Sequence, residues 1–275
     1  MFTLNCKGRI LTINEPVVMG ILNLTPDSFY AGSRLNNEDA LLHKAEEMIS
    51  SGAAILDIGG QSTRPASQRI SEEEELKRVV PAVEALHKNF PGQVLSIDTF
   101  YAGVATEAVN AGASMINDVS AGTIDPNLLP TVAALNVPYV LMHMRGNPQT
   151  MQKNATYQNV TLEVFDSLSF RIKELERTGI KDIIVDPGFG FGKTIQHNFQ
   201  LLRELSFFAQ LEKPLMVGLS RKATVYKTLQ TTADKALNGT TVLHTMALLN
   251  GANILRVHDV KEAKEATELY LAYKG

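Results

Sequence analysis

The chain has 275 residues, of which 44% are hydrophobic and 20% charged, so it can bury a core of ordinary size. Its net charge of −3 excludes the global basic field that attracts nucleic acid or an anionic membrane. No apolar run approaches the roughly 18 residues of a membrane span, the start shows no secretory pattern and the single cysteine allows no intrachain disulfide, so we expect a soluble cytoplasmic protein.

Short apolar segments alternate with longer helical patterns along nearly the whole chain. Ahead of them, Phe2–Asn14 with the turn Lys7-Gly8 predicts a short N-terminal β-hairpin that covers one end of the fold. Most of the apolar segments lack alternation, which is typical of parallel strands buried on both faces. The eight predicted strands are Val17–Leu22, Ala54–Ile58, Val94–Asp98, Met115–Asp118, Pro138–Met142, Asp182–Asp186, Leu215–Gly218 and Asn253–Val257.

Helical patterns fill the gaps between these strands. Ser71 and Glu74 form a capping-box pattern at the start of one helix. Glycine ends four of the patterns shortly before a strand, in the position where a left-handed residue turns the chain back; these are Gly52, Gly112, Gly179 and Gly251. The repeated βα unit favours one TIM (β/α)8 barrel domain over residues 1–275, with a doubly wound open sheet as the alternative.

Polar residues follow nearly every predicted strand, at the end where a barrel carries its active site. A helix cap or a turn explains any one of them equally well, and Asp57 and Asp118 could be no more than that. Their recurrence at one rim predicts a functional site. The residues are Asn23, Asp57, Asp98, Asn117, Asp118, His143, Asp186, Ser220, Arg221, Lys222, Arg256 and His258.

These residues fall into two chemical sets. Carboxylates, an amide and a cation suit a flat heterocycle that presents both donors and acceptors; this set is Asp98, Asn117, Asp186 and Lys222. Hydroxyls and basic side chains suit phosphate oxygens; this set is Ser62, Thr63, Arg64, Ser220, Arg221, Lys222, Arg256 and His258. Asn23 is equally a turn residue or a ligand of magnesium, which takes only one or two protein ligands beside substrate oxygens.

Two further motifs lie at the same rim. The glycine-rich segment Asp186–Lys193 lacks the spacing of a Walker A loop, but it allows close backbone approach to a ligand, with Phe191 as an aromatic wall. His143 stands alone between two methionines, which does not make a zinc site, since zinc takes three or four ligands.

Taken in order, these motifs resemble those of the dihydropteroate synthase family from about Val17 to Val260. The motifs are Asn23-Leu24-Thr25-Pro26-Asp27-Ser28-Phe29, Asp57-Ile58-Gly59-Gly60-Gln61-Ser62-Thr63-Arg64-Pro65, Ile97-Asp98-Thr99, Ile116-Asn117-Asp118, Met142-His143-Met144, Asp186-Pro187-Gly188-Phe189-Gly190-Phe191-Gly192-Lys193, Ser220-Arg221-Lys222 and Arg256-Val257-His258-Asp259-Val260.

The resemblance implies a magnesium-dependent transferase of folate biosynthesis and a target of sulfonamides. It would condense 6-hydroxymethyl-7,8-dihydropterin diphosphate with 4-aminobenzoate, give 7,8-dihydropteroate and pyrophosphate, and act as a homodimer. The implied catalytic residues are Asp98, Asn117, Asp186, Lys222 and Arg256. The pterin-binding residues would be Asp98, Asn117, Met142, Asp186, Phe191, Gly218 and Lys222. The diphosphate would be held by Asn23, Thr63, Arg64, Arg256 and His258, with Asn23 also on the metal, and aminobenzoate by Ser62, Thr63, Pro65, Phe191, Ser220 and Lys222.

The chain departs from the family pattern in two loops. Gln61 replaces the usual glutamate, Ala66 replaces the usual glycine, and the first loop continues as Tyr30-Ala31-Gly32-Ser33 where Ser-Asp-Gly-Gly is more frequent. These departures affect aminobenzoate affinity and drug sensitivity more than the core chemistry.

Three other functions share some of these features. A pterin-binding methyltransferase would share the barrel and the carboxylates but has no diphosphate to hold. A Schiff-base aldolase would use Lys222, and a binding protein would leave pterin diphosphate intact.

Overall fold

Eight parallel strands close into a barrel. The computed structural model describes residues 1–24, 34–61, 69–146, 151 and 155–275, with side chains of the first helix described from residue 38 onward. The strand order is β8-β7-β6-β5-β4-β3-β10-β9, and a parallel bridge between Val185 and Leu215 joins the two outer members. This closure excludes the open sheet. The barrel strands are β3 (Val17–Asn23), β4 (Ala53–Gly59), β5 (Val94–Asp98), β6 (Met115–Asp118), β7 (Tyr139–Met142), β8 (Ile183–Asp186), β9 (Met216–Val217) and β10 (Ile254–Val257).

Helices surround the barrel and follow its strands. Ser71 begins one of them, where its hydroxyl accepts a hydrogen bond from the backbone N–H of Glu74 at 3.2 Å, as the capping pattern predicts. The four predicted glycines all have positive φ. The helices are α1 (Arg34–Ser50), α2 (Glu72–Asn89), α3 (Ala102–Ala111), α4 (Leu128–Leu135), α5 (Val160–Arg177), α6 (Ile195–Arg203), a 3₁₀ helix (Leu205–Leu211), α7 (Ala223–Thr228), α8 (Leu237–Leu249) and α9 (Val260–Lys274).

Side chains of each barrel strand alternate between the helix layer and the barrel interior, because successive strand residues point to opposite faces. Outward residues such as Leu56, Ile116 and Val185 join the large core that the helices cover. One inward residue from each strand joins a second buried cluster near the N-terminal end. These eight residues are Met19, Ile55, Val94, Met115, Val140, Ile184, Met216 and Ile254.

The predicted N-terminal hairpin plugs this end of the barrel. Strands β1 (Phe2–Cys6) and β2 (Arg9–Ile13) pair antiparallel, and their buried Leu4, Cys6 and Ile13 pack on the inward apolar layer. The backbone N–H of Asn5 also donates to the Asp182 carboxylate at 2.8 Å. The N-terminal end of the barrel is therefore closed to substrate.

Candidate active site

The opposite end of the barrel is polar on the inside. Inward positions recur every second residue, so Asp57 follows Ile55 and Asn117 follows Met115 on the same face. The same alternation brings most of the predicted site residues to one mouth. They are Asn23, Asp57, Asp98, Asn117, Met142, Asp186, Gly218, Arg256 and His258.

Four of these side chains form one hydrogen-bonded cluster, which we call the Arg256 network. Arg256 donates from Nε to Asp57 Oδ2 at 2.7 Å and from Nη2 to Asp98 Oδ2 at 2.6 Å. Asn117 Nδ2 donates to the same Asp57 oxygen at 2.9 Å. The other three side chains of the cluster, Asp57, Asp98 and Asn117, are all buried. Buried charges are costly unless paired, so these contacts are what allows two carboxylates to lie inside the barrel.

The Arg256 network perturbs the protonation of its members. Burial raises the pKa of Asp98 to about 7; Arg256 lowers it and the nearby Asp57 carboxylate raises it. Burial alone would lower the pKa of Arg256, but the two carboxylates outweigh burial and raise it above its ordinary value. Asp98 can therefore meet a ligand as an acceptor or, when protonated, as a donor.

Lys222 reaches the same mouth from the segment after β9. Its Nζ donates to the carbonyl of Phe189 at 2.6 Å and lies 4.6 Å from the centre of the Phe191 ring. Gly218 lies beside it, since a Cβ at that position would be in ordinary van der Waals contact with Nζ at 3.5 Å. Burial lowers the pKa of Lys222 to about 8, and the Asp186 carboxylate opposes that shift.

Asp186 ends β8 and starts the glycine-rich loop. Its Oδ1 accepts a hydrogen bond from the backbone N–H of Gly188 at 2.7 Å, and it is buried. Burial raises the pKa of Asp186, while the charge of Lys222 lowers it. The predicted carboxylate and cation therefore influence each other across the mouth.

An apolar cluster lies at this end of the barrel, beside the polar groups. Its buried members are Phe100, Val119, Met142, Met151 and Phe191. Flat apolar surfaces beside a few convergent polar groups are typical of small-molecule sites. The combination agrees with the prediction that this mouth binds a flat heterocycle.

Ser220 and His258 face each other next to this cluster of charges. Ser220 Oγ lies 3.0 Å from His258 Nδ1, and the backbone N–H of His258 donates to the same oxygen at 3.2 Å. His258 is exposed, yet the surrounding protein lowers its pKa to about 4, first by burial of the ring nitrogens and then through Arg256. The imidazole is therefore neutral at pH 7 and can act as a hydrogen-bond partner to an anion.

The prediction that Arg221 belongs to the anion-directed set is wrong. Arg221 has a positive φ of 53° and pairs with both carboxylate oxygens of Asp259, at 2.8 and 2.7 Å. Its Nη1 also donates to the carbonyls of Ala233 and Asp234. These bonds fix the turn after β9. The neighbouring Ser220 and Lys222 instead contact His258 and the Phe189 carbonyl at the mouth.

Asn23 ends β3 beside Gly59 of β4. A Cβ at Gly59 would lie 3.6 Å from Asn23 Oδ1 and 3.9 Å from Asp98 Oδ2. Glycine therefore leaves a space between an amide oxygen and a carboxylate oxygen.

Several predicted residues lie outside the described part of the chain. They are Ser62, Thr63, Arg64, Pro65 and Ala66, together with the first-loop residues 25–33. Gln61 precedes one of these segments and is described. Its side-chain oxygen accepts a hydrogen bond from the backbone N–H of Ile70 at 2.9 Å, so it joins the described residues on either side of 62–68.

Sequence reasoning could not separate Asp57 from Asp118, and the structure does. Asp57 faces inward and joins the Arg256 network. Asp118 faces the helix layer, where it accepts hydrogen bonds from the Tyr139 hydroxyl at 2.7 Å and from the backbone of Ser120 and Gly122. Asp118 is thus bonded within the helix layer, whereas Asp57 lies at the mouth. The sequence contains a signal that distinguishes them: Asp57 lies two residues after the inward Ile55, whereas Asp118 lies three residues after the inward Met115.

Comparisons with known proteins point to one family. Residues 19–258 match the family model described as pterin binding enzyme. The chain is 42% identical over 271 residues to a dihydropteroate synthase of Haemophilus influenzae, covering 98% of each protein. It resembles a Yersinia pestis dihydropteroate synthase solved with a sulfonamide drug complex, with a TM-score of 0.93, 42% identity and 99% of each chain covered. It also resembles a Xanthomonas albilineans dihydropteroate synthase in complex with 7,8-dihydropteroate, with a TM-score of 0.89, 39% identity and 99% of each chain covered.

Proposed function

The chain belongs to the dihydropteroate synthase family, whose reaction joins 6-hydroxymethyl-7,8-dihydropterin diphosphate to 4-aminobenzoate, and we propose how its barrel mouth carries out that reaction. The observation that supports this most directly is the Arg256 network lying at the same mouth as Asp186 and Lys222. It presents acceptors for the pterin together with a fixed cation for the diphosphate.

The pterin binds to the buried polar groups of the mouth. Asp98 and Asp186 accept hydrogen bonds from ring N–H groups, Asn117 offers an amide, and Lys222 donates to a ring acceptor. Phe191 and Met142 pack against the flat faces from the apolar cluster, and Gly218 lies beside the Lys222 amine.

The diphosphate binds on the basic side of the mouth. Arg256 supplies a permanent charge, since the raised pKa keeps it protonated, and neutral His258 supplies a ring N–H. Thr63 and Arg64 complete this set from the loop after β4.

Aminobenzoate binds next to the loop after β4. Phe191 packs on its ring, while Ser220 and Lys222 contact its polar groups, and Ser62, Thr63 and Pro65 close the pocket. Lys222 contacts both substrates, since its amine lies 4.6 Å from the centre of the Phe191 ring and interacts electrostatically with the Asp186 carboxylate of the pterin set.

Magnesium fits this mouth through Asn23. The described residues contain no group of three or more His, Cys, Asp or Glu side chains suited to a metal, but magnesium needs only one or two protein ligands when phosphates supply others. The space over Gly59 beside Asn23 Oδ1 suits such a site. When bound, magnesium would neutralise charge on the diphosphate.

The residues favour an ionising route. The bond between the pterin methylene carbon and the diphosphate oxygen breaks with its electron pair leaving on pyrophosphate, which Arg256 stabilises. Asp98 and Asp186 stabilise the resulting pterin cation, and stronger binding of that state lowers the barrier. The amine of aminobenzoate then forms the carbon–nitrogen bond and loses a proton. A free arylamine is already nucleophilic, so the route requires no strong general base.

Pyrophosphate release tests this function. Pterin diphosphate is mixed with the protein and magnesium, with and without 4-aminobenzoate, and pyrophosphate and dihydropteroate are measured. Aminobenzoate-dependent release with product supports the proposal. Intact pterin diphosphate would point to a methyltransferase or a binding protein, and borohydride trapping at Lys222 with a carbonyl substrate would point to an aldolase.

We also propose a homodimer formed by the last two helices. On α8, Val242, Met246 and Leu249 are about half exposed, at 45, 44 and 55%; on α9, Leu269 and Tyr273 are 73 and 80% exposed. Spacings of three and four residues place each group on one helix face, and exposed apolar faces of this kind mark interaction sites.

Light scattering tests the dimer. The wild type should have twice the chain mass, and Met246→Glu should shift it toward the monomer. Phe170→Glu is the matched control, because Phe170 is 63% exposed on α5, away from these helices. A monomeric wild type would overturn the proposal without affecting the reaction.

A further inference from the structure

One buried lysine has no role in the reaction described above. Lys193 is only 3% exposed. Its Nζ lies 3.0 Å from the carbonyl of Gly188, 3.1 Å from that of Phe191, and 3.0 Å from Nδ1 of His143, with the His143 carbonyl at 3.3 Å. An ammonium has three hydrogens, and here they tie both turns of the glycine-rich loop (residues 187–192) to the end of β7.

Glycine allows this loop to lie against the end of β7. Gly188 has a φ of +72°, and a Cβ there would lie 1.9 Å from the His143 carbonyl oxygen. A Cβ on Gly192 would lie 3.0 Å from the Arg145 carbonyl oxygen. The loop and the segment after β7 therefore contact each other through their backbones, with the Lys193 amine between them.

The same loop holds Lys222. The carbonyl of Phe189 accepts the Lys222 hydrogen bond at 2.6 Å, and the Phe191 ring lies 4.6 Å from the Lys222 Nζ. The two carbonyls that Lys193 binds, those of Gly188 and Phe191, flank this contact in the chain. Any shift of the loop would move both groups that contact Lys222.

We propose that Lys193 is a positioning residue for Lys222: by cross-linking the glycine-rich loop to the end of β7, it fixes the Phe189 carbonyl and the Phe191 ring against the Lys222 amine. The inference rests on the proposed function, in which Lys222 contacts both substrates.

The protonation states are compatible with this role. Burial lowers the pKa of His143 to about 2, and the Lys193 charge lowers it further, so Nδ1 is a free acceptor for the lysine. Burial lowers the pKa of Lys193 to about 7, against the opposing charge of Asp186. A neutral amine still has two N–H donors, so the cross-link persists on both sides of that pKa.

A double-mutant cycle with Lys222 tests the proposal. Lys193→Met should lower kcat/KM about tenfold in the wild-type background, and less than about twofold once Lys222→Met has removed the group being positioned. A purely structural role would lower activity by the same factor in both backgrounds, and that result would overturn the proposal. Lys193→Gln keeps N–H donors and should recover part of the loss; it replaces the methionine variant if that variant does not fold.

Hydrogen exchange of the free protein separates this inference from the proposed reaction. Lys193→Met should speed exchange of the amides in residues 188–192, whereas Lys213→Met, which breaks a pair with Glu176 at 2.8 Å, should leave them unchanged. Unchanged exchange in the Lys193 variant would overturn the cross-link even if the enzyme is active. Faster exchange in a protein that releases no pyrophosphate would leave the cross-link standing and reject the reaction.

Discussion

The two ends of the barrel use the same strand positions for opposite purposes. Near the N-terminal end, each strand places an apolar residue inward, and the hairpin covers this layer. Two or four residues further along, the inward positions carry Asp57, Asp98 and Arg256 in one ion-paired network. Burial stabilises the first layer, whereas the second contains charges whose burial is costly. Inside the barrel, apolar packing is therefore concentrated at one end, and the other end carries the charged groups.

The largest effect is expected at the polar end, from Asp98→Asn. Removing the carboxylate that is proposed to stabilise the pterin cation should lower kcat about 100- to 1000-fold. Tm should fall only modestly, because the side chain keeps its size and Arg256 keeps its bond to Asp57. Steady-state kinetics and thermal melting measure both. His43→Gln is the control, since His43 is exposed on α1. Comparable losses in the two variants would refute the assignment of roles.

The closed end should show the opposite response. Ile55→Ala deletes most of a fully buried side chain of the inward apolar layer, which should cost about 2–5 kcal/mol of unfolding free energy. The activity of the folded fraction should be unchanged. Ile10→Ala makes the same change in the hairpin at a residue that is 58% exposed, and it should cost about 0.5 kcal/mol or less. Denaturant unfolding measures both free energies. A loss of kcat in the folded Ile55 variant would contradict the prediction that this end contributes to stability and not to catalysis.

Activity and stability should change in opposite directions as the pH rises through the pKa of Lys222. The proposed role of Lys222 as a donor requires its protonated form. Its pKa is lowered from 10.5 to about 8, so kcat/KM should fall about tenfold per pH unit above that pKa. Because the unfolded chain holds this proton up to its ordinary pKa, the contribution of Lys222 to stability rises with pH over the same window. Lys222→Met should remove this contribution and leave the one from Lys193, whose pKa is also lowered, to about 7. If kcat/KM of the variant still falls above about pH 8, the titrating group is not Lys222.

The smallest effect is expected at the loop that Gln61 closes. Gln61→Leu removes the acceptor of the Ile70 N–H, and one lost hydrogen bond of about 1 kcal/mol corresponds to a rise in KM for aminobenzoate of about fivefold. Gln61→Glu keeps an acceptor oxygen and should change KM less than twofold. Equal changes in both variants would mean that the hydrogen bond from Ile70 to the side-chain oxygen does not affect aminobenzoate binding.

The strands of the barrel and the hairpin at its N-terminal end could be predicted from the sequence. The predicted strand bounds agree with the structure to within a residue or so, because buried parallel strands are short apolar runs that glycine and polar residues delimit. The hairpin over the N-terminal end was likewise predicted and confirmed. These features depend on local pattern alone.

The errors concern contacts between distant segments. Arg221 was assigned to the anion set because of its neighbours, but its partner Asp259 lies 38 residues away. The sequence does not decide the role of Asp57, since its pairing with Arg256 spans 199 residues. The direction of a side chain in a turn, and the partner of a charge, are set by packing that sequence spacing does not contain.

The hairpin carries a built-in chemical reporter. Cys6, the single cysteine of the chain, is buried against the barrel, and burial together with the Asp182 carboxylate raises its pKa to about 12. The reactive thiolate is therefore suppressed while the hairpin is seated. Labelling by a thiol reagent should proceed at the rate at which the hairpin detaches. The opening rate of this end can therefore be measured without introducing a substitution.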